Sequence, residues 1–321
     1  MDLRWSNLLP KNWRKGAGFA NAIGLEFSEA GLAIACADGA QKNATAARIS
    51  YCSFHGEPSA DEQVIYLQKL VATRRWRSVP CNVVLAPSLY QISTMEAPEV
   101  PAEELRTAVH WKLLDLFGRN PDELAFDVVS LPADAYRTRM ITVAAIPRSL
   151  MAKIAADMNA AGLSLQSIST QETALHNLCA SVPTLASPTA LLAFYQNRSM
   201  LSISAAGNAY FSRALDKGLS AVGSIPSDSE EYQYVLDAFV LDVQRSLDFF
   251  ESQLRKGSAS QLYCLPTTSE TSVVAAALSA GLAVPLSAFP LSGLLQDGVC
   301  EAHELSRCIN AVGAALWRMG A

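Results

Sequence analysis

Few residues in this chain have the types and spacing to do chemistry. The hairpin from Ile23 to Leu32 is the one stretch shaped like a phosphate-binding loop, a strand running through a tight turn into a second strand. Such a loop holds phosphate with backbone amides, which approach closely where glycine leaves the backbone bare. This one has glycine at Gly24 and Gly31, with Phe27 and Ser28 between them. The four histidines, His55, His110, His176 and His303, stand apart, with no His-x-x-x-His pair and no clustered carboxylate, so no metal site is expected. Gly-x-Ser-x-Gly, Walker and Gly-x-Gly-x-x-Gly patterns are absent, which removes the usual hydrolase, P-loop and dinucleotide chemistries.

The seven cysteines, at 36, 52, 81, 179, 264, 300 and 308, form no Cys-x-x-Cys pair and mostly sit in apolar runs. That pattern predicts reduced, buried thiols. With 321 residues, half of them apolar and 17% charged, the chain is long enough for two lobes built from α/β layers. A formal net charge of -5 supplies no basic footprint for nucleic acid. No long apolar core with a small-residue cleavage site opens the chain, so a protein that stays inside the cell is expected. Thr271 to Leu295 carries no charge, but Pro285 and Pro290 interrupt it, so it reads as a buried helix followed by a short strand.

The elements follow from periodicity and punctuation. Residues 1–20 are a basic, aromatic arm in which Leu3, Trp5, Leu8, Leu9 and Trp13 alternate with Arg4, Lys11, Arg14 and Lys15. A loose terminus and a weak, reversible contact with an anionic membrane surface are both open readings of it. From residue 21 a β-meander begins: Ala22 to Phe27, Leu32 to Ala37 and Ile49 to Phe54, followed by a helix over Asp61 to Arg74 and a strand at Cys81 to Leu85. Residues 88–162 have their own rhythm, with strands at Tyr90 to Glu96, Leu124 to Leu131 and Met140 to Ile146. One helix is expected from Pro101 to Phe117 and another after Pro147. This block reads as a small α+β insertion in a first lobe spanning 21–185.

A second meander, Leu191 to Tyr195, Met200 to Ser204 and Ala209 to Leu215, echoes the first and opens a second lobe, 186–321. The longest helix starts at Ser227 to Glu230 and carries Leu236, Val240, Val243, Leu247, Phe250 and Leu254 at three- and four-residue steps, a core-packing stripe. A strand at Gln261 to Leu265, a helix at Thr271 to Ala280 and a terminal helix over Glu304 to Met319 complete the pattern, with the last helix expected to pack back toward the first lobe.

Three stretches resemble the PilM and MshI family of type IV pilus assembly proteins: Ala22-Ile23-Gly24-Leu25-Glu26-Phe27-Ser28, Glu96-Ala97-Pro98-Glu99-Val100-Pro101, and Leu241-Asp242-Val243-Gln244-Arg245-Ser246-Leu247-Asp248-Phe249-Phe250. Gly313-Ala314-Ala315-Leu316-Trp317-Arg318 also fits, and the resemblance covers nearly the whole chain after Ala20. It implies an actin-like fold, ribonuclease H-like in each of two lobes, with an inserted small α+β subdomain of the SHS2 type. In that family the first hairpin carries an aspartate for magnesium and a second glycine for phosphate. Gly24, Glu26 and Ser28 are the vestiges here, with Phe27 where bare backbone is expected. The second hairpin should read Asp-Ile-Gly but is Phe194-Tyr195-Gln196-Asn197, and the adenosine-side turn, Leu265-Pro266-Thr267-Thr268-Ser269, has no glycine. Three departures together disfavour ATP and magnesium binding and predict no catalysis.

The family resemblance further implies a cytoplasmic scaffold, peripheral to the inner membrane, which docks the N-terminal peptide of a PilN-like membrane protein and meets other pilus components. Ala108, Trp111 and Leu114 are the expected groove residues, with an ordinary core position the equal reading for Trp111. Asn7-Leu8-Leu9-Pro10 matches a motif common in such docking peptides and suggests self-docking of the arm, in cis or from a neighbouring copy. Homo-oligomer formation is left open. Degenerate motifs and Phe249 to Leu254 favour the mannose-sensitive (MSHA) pilus type. The alternatives are an actin-like ATP-binding protein or a GspL-type type II secretion module.

Overall fold

The computed structural model describes residues 21–38, 47–134, 136–182, 184–185, 187–223, 225–226, 228–254 and 257–317. The arm, with Asn7, Leu8, Leu9 and Pro10, lies outside them. β1 (Asn21–Ser28), β2 (Gly31–Asp38) and β3 (Arg48–His55) form an antiparallel meander. α1 (Ala60–Arg74) leads to β4 (Pro80–Leu85), which pairs parallel to β1. Ser59 caps α1, its hydroxyl accepting the Glu62 amide, and Arg75 in the left-handed region ends it. β5 (Gln91–Glu96), α2 (Leu105–His110), α3 (Leu113–Phe117), β6 (Leu124–Ser130) and β7 (Met140–Pro147) follow, then α4 (Arg148–Ala160), β8 (Ser164–Ser169) and α5 (Gln171–Ala180).

The rest of the chain repeats the opening. β9 (Thr189–Phe194), β10 (Ser199–Ala205) and β11 (Asn208–Leu215) are again antiparallel neighbours, and Ala206 and Gly207, both at positive φ, make the last turn. Then come α6 (Leu219–Gly223), α7 (Glu230–Leu254), β12 (Gln261–Leu265), α8 (Ser269–Ser279), β13 (Leu286–Ala288), α9 (Ala302–Arg307) and α10 (Ile309–Ala315). The strand orders are β3-β2-β1-β4-β8 and β11-β10-β9-β12-β13. Each sheet is thus a meander extended by two parallel strands, and the two halves have one topology.

β5, β7 and β6 form a separate three-stranded antiparallel sheet with its own core of Leu105, Val109, Leu113, Leu124, Phe126, Ile141 and Val143. α4 faces the other way: Ile154, Ala155 and Met158 join the core of the first sheet. The single helix expected over Pro101 to Phe117 is two short ones. The chain tightens at Trp111 and Lys112, where the Lys112 amide donates to the Val109 carbonyl, three residues back. Leu105, Val109 and Leu113 stay on one buried face across the break.

The terminal helix is also divided, at the buried Cys308. This bend lets α9 lie on β3 while α10 enters between β1 and α5. Close approach there depends on two glycines. A Cβ at Gly24 of β1 would stand 1.9 Å from the Ala311 carbonyl oxygen, and one at Gly313 of α10 would stand 2.2 Å from that of Ala174 on α5. The carbonyls ending α10 are capped from the first lobe: Asn177 donates to Gly313 at 3.0 Å and Asn82 to Ala314 at 3.1 Å. No helix among the described residues is long and apolar enough to cross a membrane.

Candidate functional site

Two places draw the sequence-derived residues together. The first lies where β1, the β9–β10 hairpin, α5 and α10 converge. Strand alternation puts Ile23, Leu25 and Phe27 toward the first core and Gly24, Glu26 and Ser28 on the opposite face. Phe27 therefore packs inward and does not crowd the hairpin mouth as expected from its position in the motif. Gly24 is a packing contact for α10, and the Ser28 hydroxyl donates to the Gly31 carbonyl across the turn at 2.9 Å. Gln63 of α1 ties this turn down by donating to the Ser28 carbonyl at 2.8 Å.

Glu26 is partly buried and bound on two sides. Its Oε1 accepts from Gln171 Nε2 at 2.8 Å and from Asn310 Nδ2 at 2.9 Å. Both donors reach onward to the second lobe. The Gln171 side-chain oxygen, Oε1, accepts from the Arg198 guanidinium, and Asn310 Oδ1 accepts from the Tyr195 hydroxyl at 2.9 Å. One carboxylate thus anchors two hydrogen-bonded chains across the lobes. Burial pushes the Glu26 carboxyl above its ordinary range, and the Gln171 and Asn310 hydrogen bonds, followed by the Arg198 charge, offset part of that rise. Burial first, then the Glu26 charge, holds the Tyr195 hydroxyl up as well, so it remains a neutral donor. Beside this network, Tyr90 donates to Glu172 at 2.8 Å.

The β9–β10 hairpin is itself occupied by protein. The carbonyls of Tyr195 and Gln196 accept the amides of Leu219 and Ser220 at 3.0 and 2.8 Å. Gly218 lies against the loop so closely that a Cβ would stand 2.3 Å from the Arg198 nitrogen and 2.5 Å from each of those two carbonyl oxygens. In the third segment, Thr268 caps α8, its hydroxyl accepting the Thr271 amide at 3.2 Å. Sequence reasoning named Glu26 but missed Gln171, Asn310, Arg198 and Gly218. Asn310, inside the apolar run Ile309 to Ala315, was the legible signal, since a buried amide in such a helix requires partners.

The second place is the outer face of α2 and α3. Trp111 is 74% exposed and Leu114 is 55% exposed, while Ala108, one turn before, is half-buried. Trp111 is not a core residue. The helical segment keeps Leu105, Val109 and Leu113 for the insert's core, which leaves the intervening apolar positions outside. Arg106 anchors the base of this segment. It donates to the Phe126 carbonyl at 2.6 Å, lies 3.6 Å from Asp127 and covers the Phe126 ring at 4.3 Å. Among the described residues no group of three or more histidines, cysteines or acids is arranged to hold a metal ion.

No protein-family model and no curated protein matches the chain. Solved structures do. A PilM–PilN type IV pilus biogenesis complex contains a chain similar over 92% of this one and 97% of its own length, with a TM-score of 0.68 at 19% identity. A Bacteroides thetaiotaomicron protein with actin-like ATPase fold and unknown function is similar over 85% of this chain and 92% of that one, with a TM-score of 0.51 at 10% identity. The cytoplasmic domain of EpsL, an inner-membrane component of the Vibrio cholerae type II secretion system, gives a TM-score of 0.49 at 10% identity. The chain has the actin-like fold, carrying the three-stranded insert in its first lobe.

Proposed function

We infer that this protein is a scaffold of a type IV pilus assembly machine and that it works by docking a peptide, not by turnover. The observation that carries the reading is the outward presentation of Trp111 and Leu114 on a short, well-anchored helical segment, because large apolar side chains held in solvent on a rigid base are natural anchors for a peptide. The likeness to the PilM chain supports the N-terminal peptide of a PilN-like inner-membrane protein as the ligand. The protein then works in the cytoplasm against the inner membrane, with other pilus components around it. The degenerate motifs and the sequence from Phe249 to Leu254 support the mannose-sensitive pilus type within this reading.

The cleft supports the same reading. A phosphate held between the hairpins needs free amides and an accessible acid. Here Glu26 is engaged by Gln171 and Asn310, and Gly218 with the 219 and 220 amides fills the second hairpin. These residues do not fit magnesium and a nucleotide phosphate, so we take the actin-like lobes as a rigid frame. Calorimetric titration with Mg-ATP decides between frame and nucleotide-binding protein: heat at micromolar nucleotide supports the latter. For the docking reading, the partner's N-terminal peptide should bind the full chain and lose affinity with Trp111→Ala; equal affinity for both proteins sinks it. The arm motif Asn7-Leu8-Leu9-Pro10 is a competing occupant in this scheme, so removing residues 1–18 should raise affinity for the peptide.

A further inference from the structure

Three cysteines from separate elements meet at the edge of the first sheet. Cys52 of β3 and Cys308 between α9 and α10 are buried in one core cluster, and Cys300, before α9, is partly exposed and packs against it. The framework around them is fixed on two sides. α9 lies on β3, where the Glu304 carboxylate accepts the Phe54 amide at 3.2 Å and the Arg307 guanidinium covers the Phe54 ring at 3.9 Å. The chain leading to Cys300 joins the strand edge, since Leu295 bridges Ile49 in parallel and the Gln296 amide donates to the Ile49 carbonyl at 2.9 Å. Cys52, three residues beyond Ile49, shares its strand face with Phe54. It packs in the same cluster as Cys308, against which Cys300 also packs. Cys36, Cys81 and Cys264 belong to other cores, and Cys179, a fourth cysteine of the same core, is carried by α5.

We propose that Cys300 and Cys52 form an oxidisable pair, closed by a peroxide into a disulfide that staples β3 to the segment entering α9. Cys300 is the entry point because it alone of the three reaches solvent. Its thiolate attacks one peroxide oxygen, the O–O bond breaks, and a sulfenic acid and a first water result. The Cys52 sulfur then displaces the sulfenic oxygen, which leaves as a second water with the remaining protons. Two thiols are oxidised and one peroxide is reduced. Burial raises the Cys300 thiol above its ordinary range, so bridging speeds up as pH rises. The staple also acts on the lobes' contact, because the segment it fixes runs through Cys308 into the turn of α10 that carries Asn310 to Glu26.

The experiment treats the full chain with graded hydrogen peroxide, then maps linked peptides by mass spectrometry and follows thermal unfolding. A Cys52–Cys300 peptide, reversible by dithiothreitol, should appear together with a rise of a few degrees in unfolding midpoint, about 2–4 °C. Cys300→Ser, at a partly exposed position, should lose both, and Cys52→Ser should leave a sulfenic acid that dimedone labels. Oxidation of Cys300 to the sulfinic acid without a linked peptide would overturn the pair, as would a bridge that excludes Cys52. Retention of the midpoint shift in Cys300→Ser would overturn it too, and that variant keeps the test decisive if Cys52→Ser does not fold.

Discussion

Between the lobes, polar side chains turn inward and satisfy one another, whereas on α2 and α3 two large apolar side chains turn outward into solvent. Glu26, Gln171, Asn310, Tyr195 and Arg198 form closed hydrogen-bonded chains, so most of what each group can offer is already used within the molecule. Trp111 and Leu114 keep their apolar surface unused. The polar groups between the lobes make an internal joint, and the insert holds two large apolar side chains in solvent. The difference teaches that polar groups satisfied by one another make a joint, whereas exposed apolar surface stays available.

The comparison breaks most sharply at the joint's packing. Gly24→Val drives side-chain atoms into the Ala311 carbonyl, which belongs to helix backbone and cannot yield, so a loss of about 3 kcal/mol or more is expected in denaturant unfolding. A near-neutral result would show that α10 is not seated on β1. Trp111→Ala should cost about 2 kcal/mol in peptide affinity, roughly thirtyfold, with unfolding unchanged. If stability falls instead, the face belongs to the core after all.

Asn310→Ala leaves Glu26 short of one donor and the Tyr195 hydroxyl without its acceptor, an expected cost of about 1–3 kcal/mol in stability and none in peptide affinity. The smallest effect is in pH. Because the Glu26 pKa is raised in the folded state, the native protein holds that proton where the unfolded chain has lost it. Stability therefore falls as pH climbs from the ordinary glutamate range through the raised value, and it stays level above. Glu26→Gln keeps an acceptor for both amides and should flatten that slope in unfolding curves taken across the acid range; an unchanged slope would assign the proton elsewhere.

Much of the frame was legible in advance. The two meanders, the helix stripe from Leu236 to Phe250 and the insert's strands follow from periods of two and of three to four, which depend on local side-chain order. Breaks at Trp111 and Cys308 were not legible. Both interrupt sequences with good helical periodicity; at Trp111 the buried face continues across the break, whereas at Cys308 the chain turns from β3 to the space between β1 and α5. At the cleft, the sequence identified an acid in an incomplete motif, while the facing of Phe27, which packs against the first core, was not legible because a motif position carries no facing until the pleat is fixed.

By itself, then, the sequence determined which segments alternate and that Phe194 to Asn197 carries neither glycine nor acid, since these are properties of near neighbours along the chain. Only the tertiary structure decided what Glu26 does. Its partners come from positions 171 and 310, and their distances are set by how closely α10 can pass Gly24 and Ala174, a fact of packing that no spacing along the chain encodes.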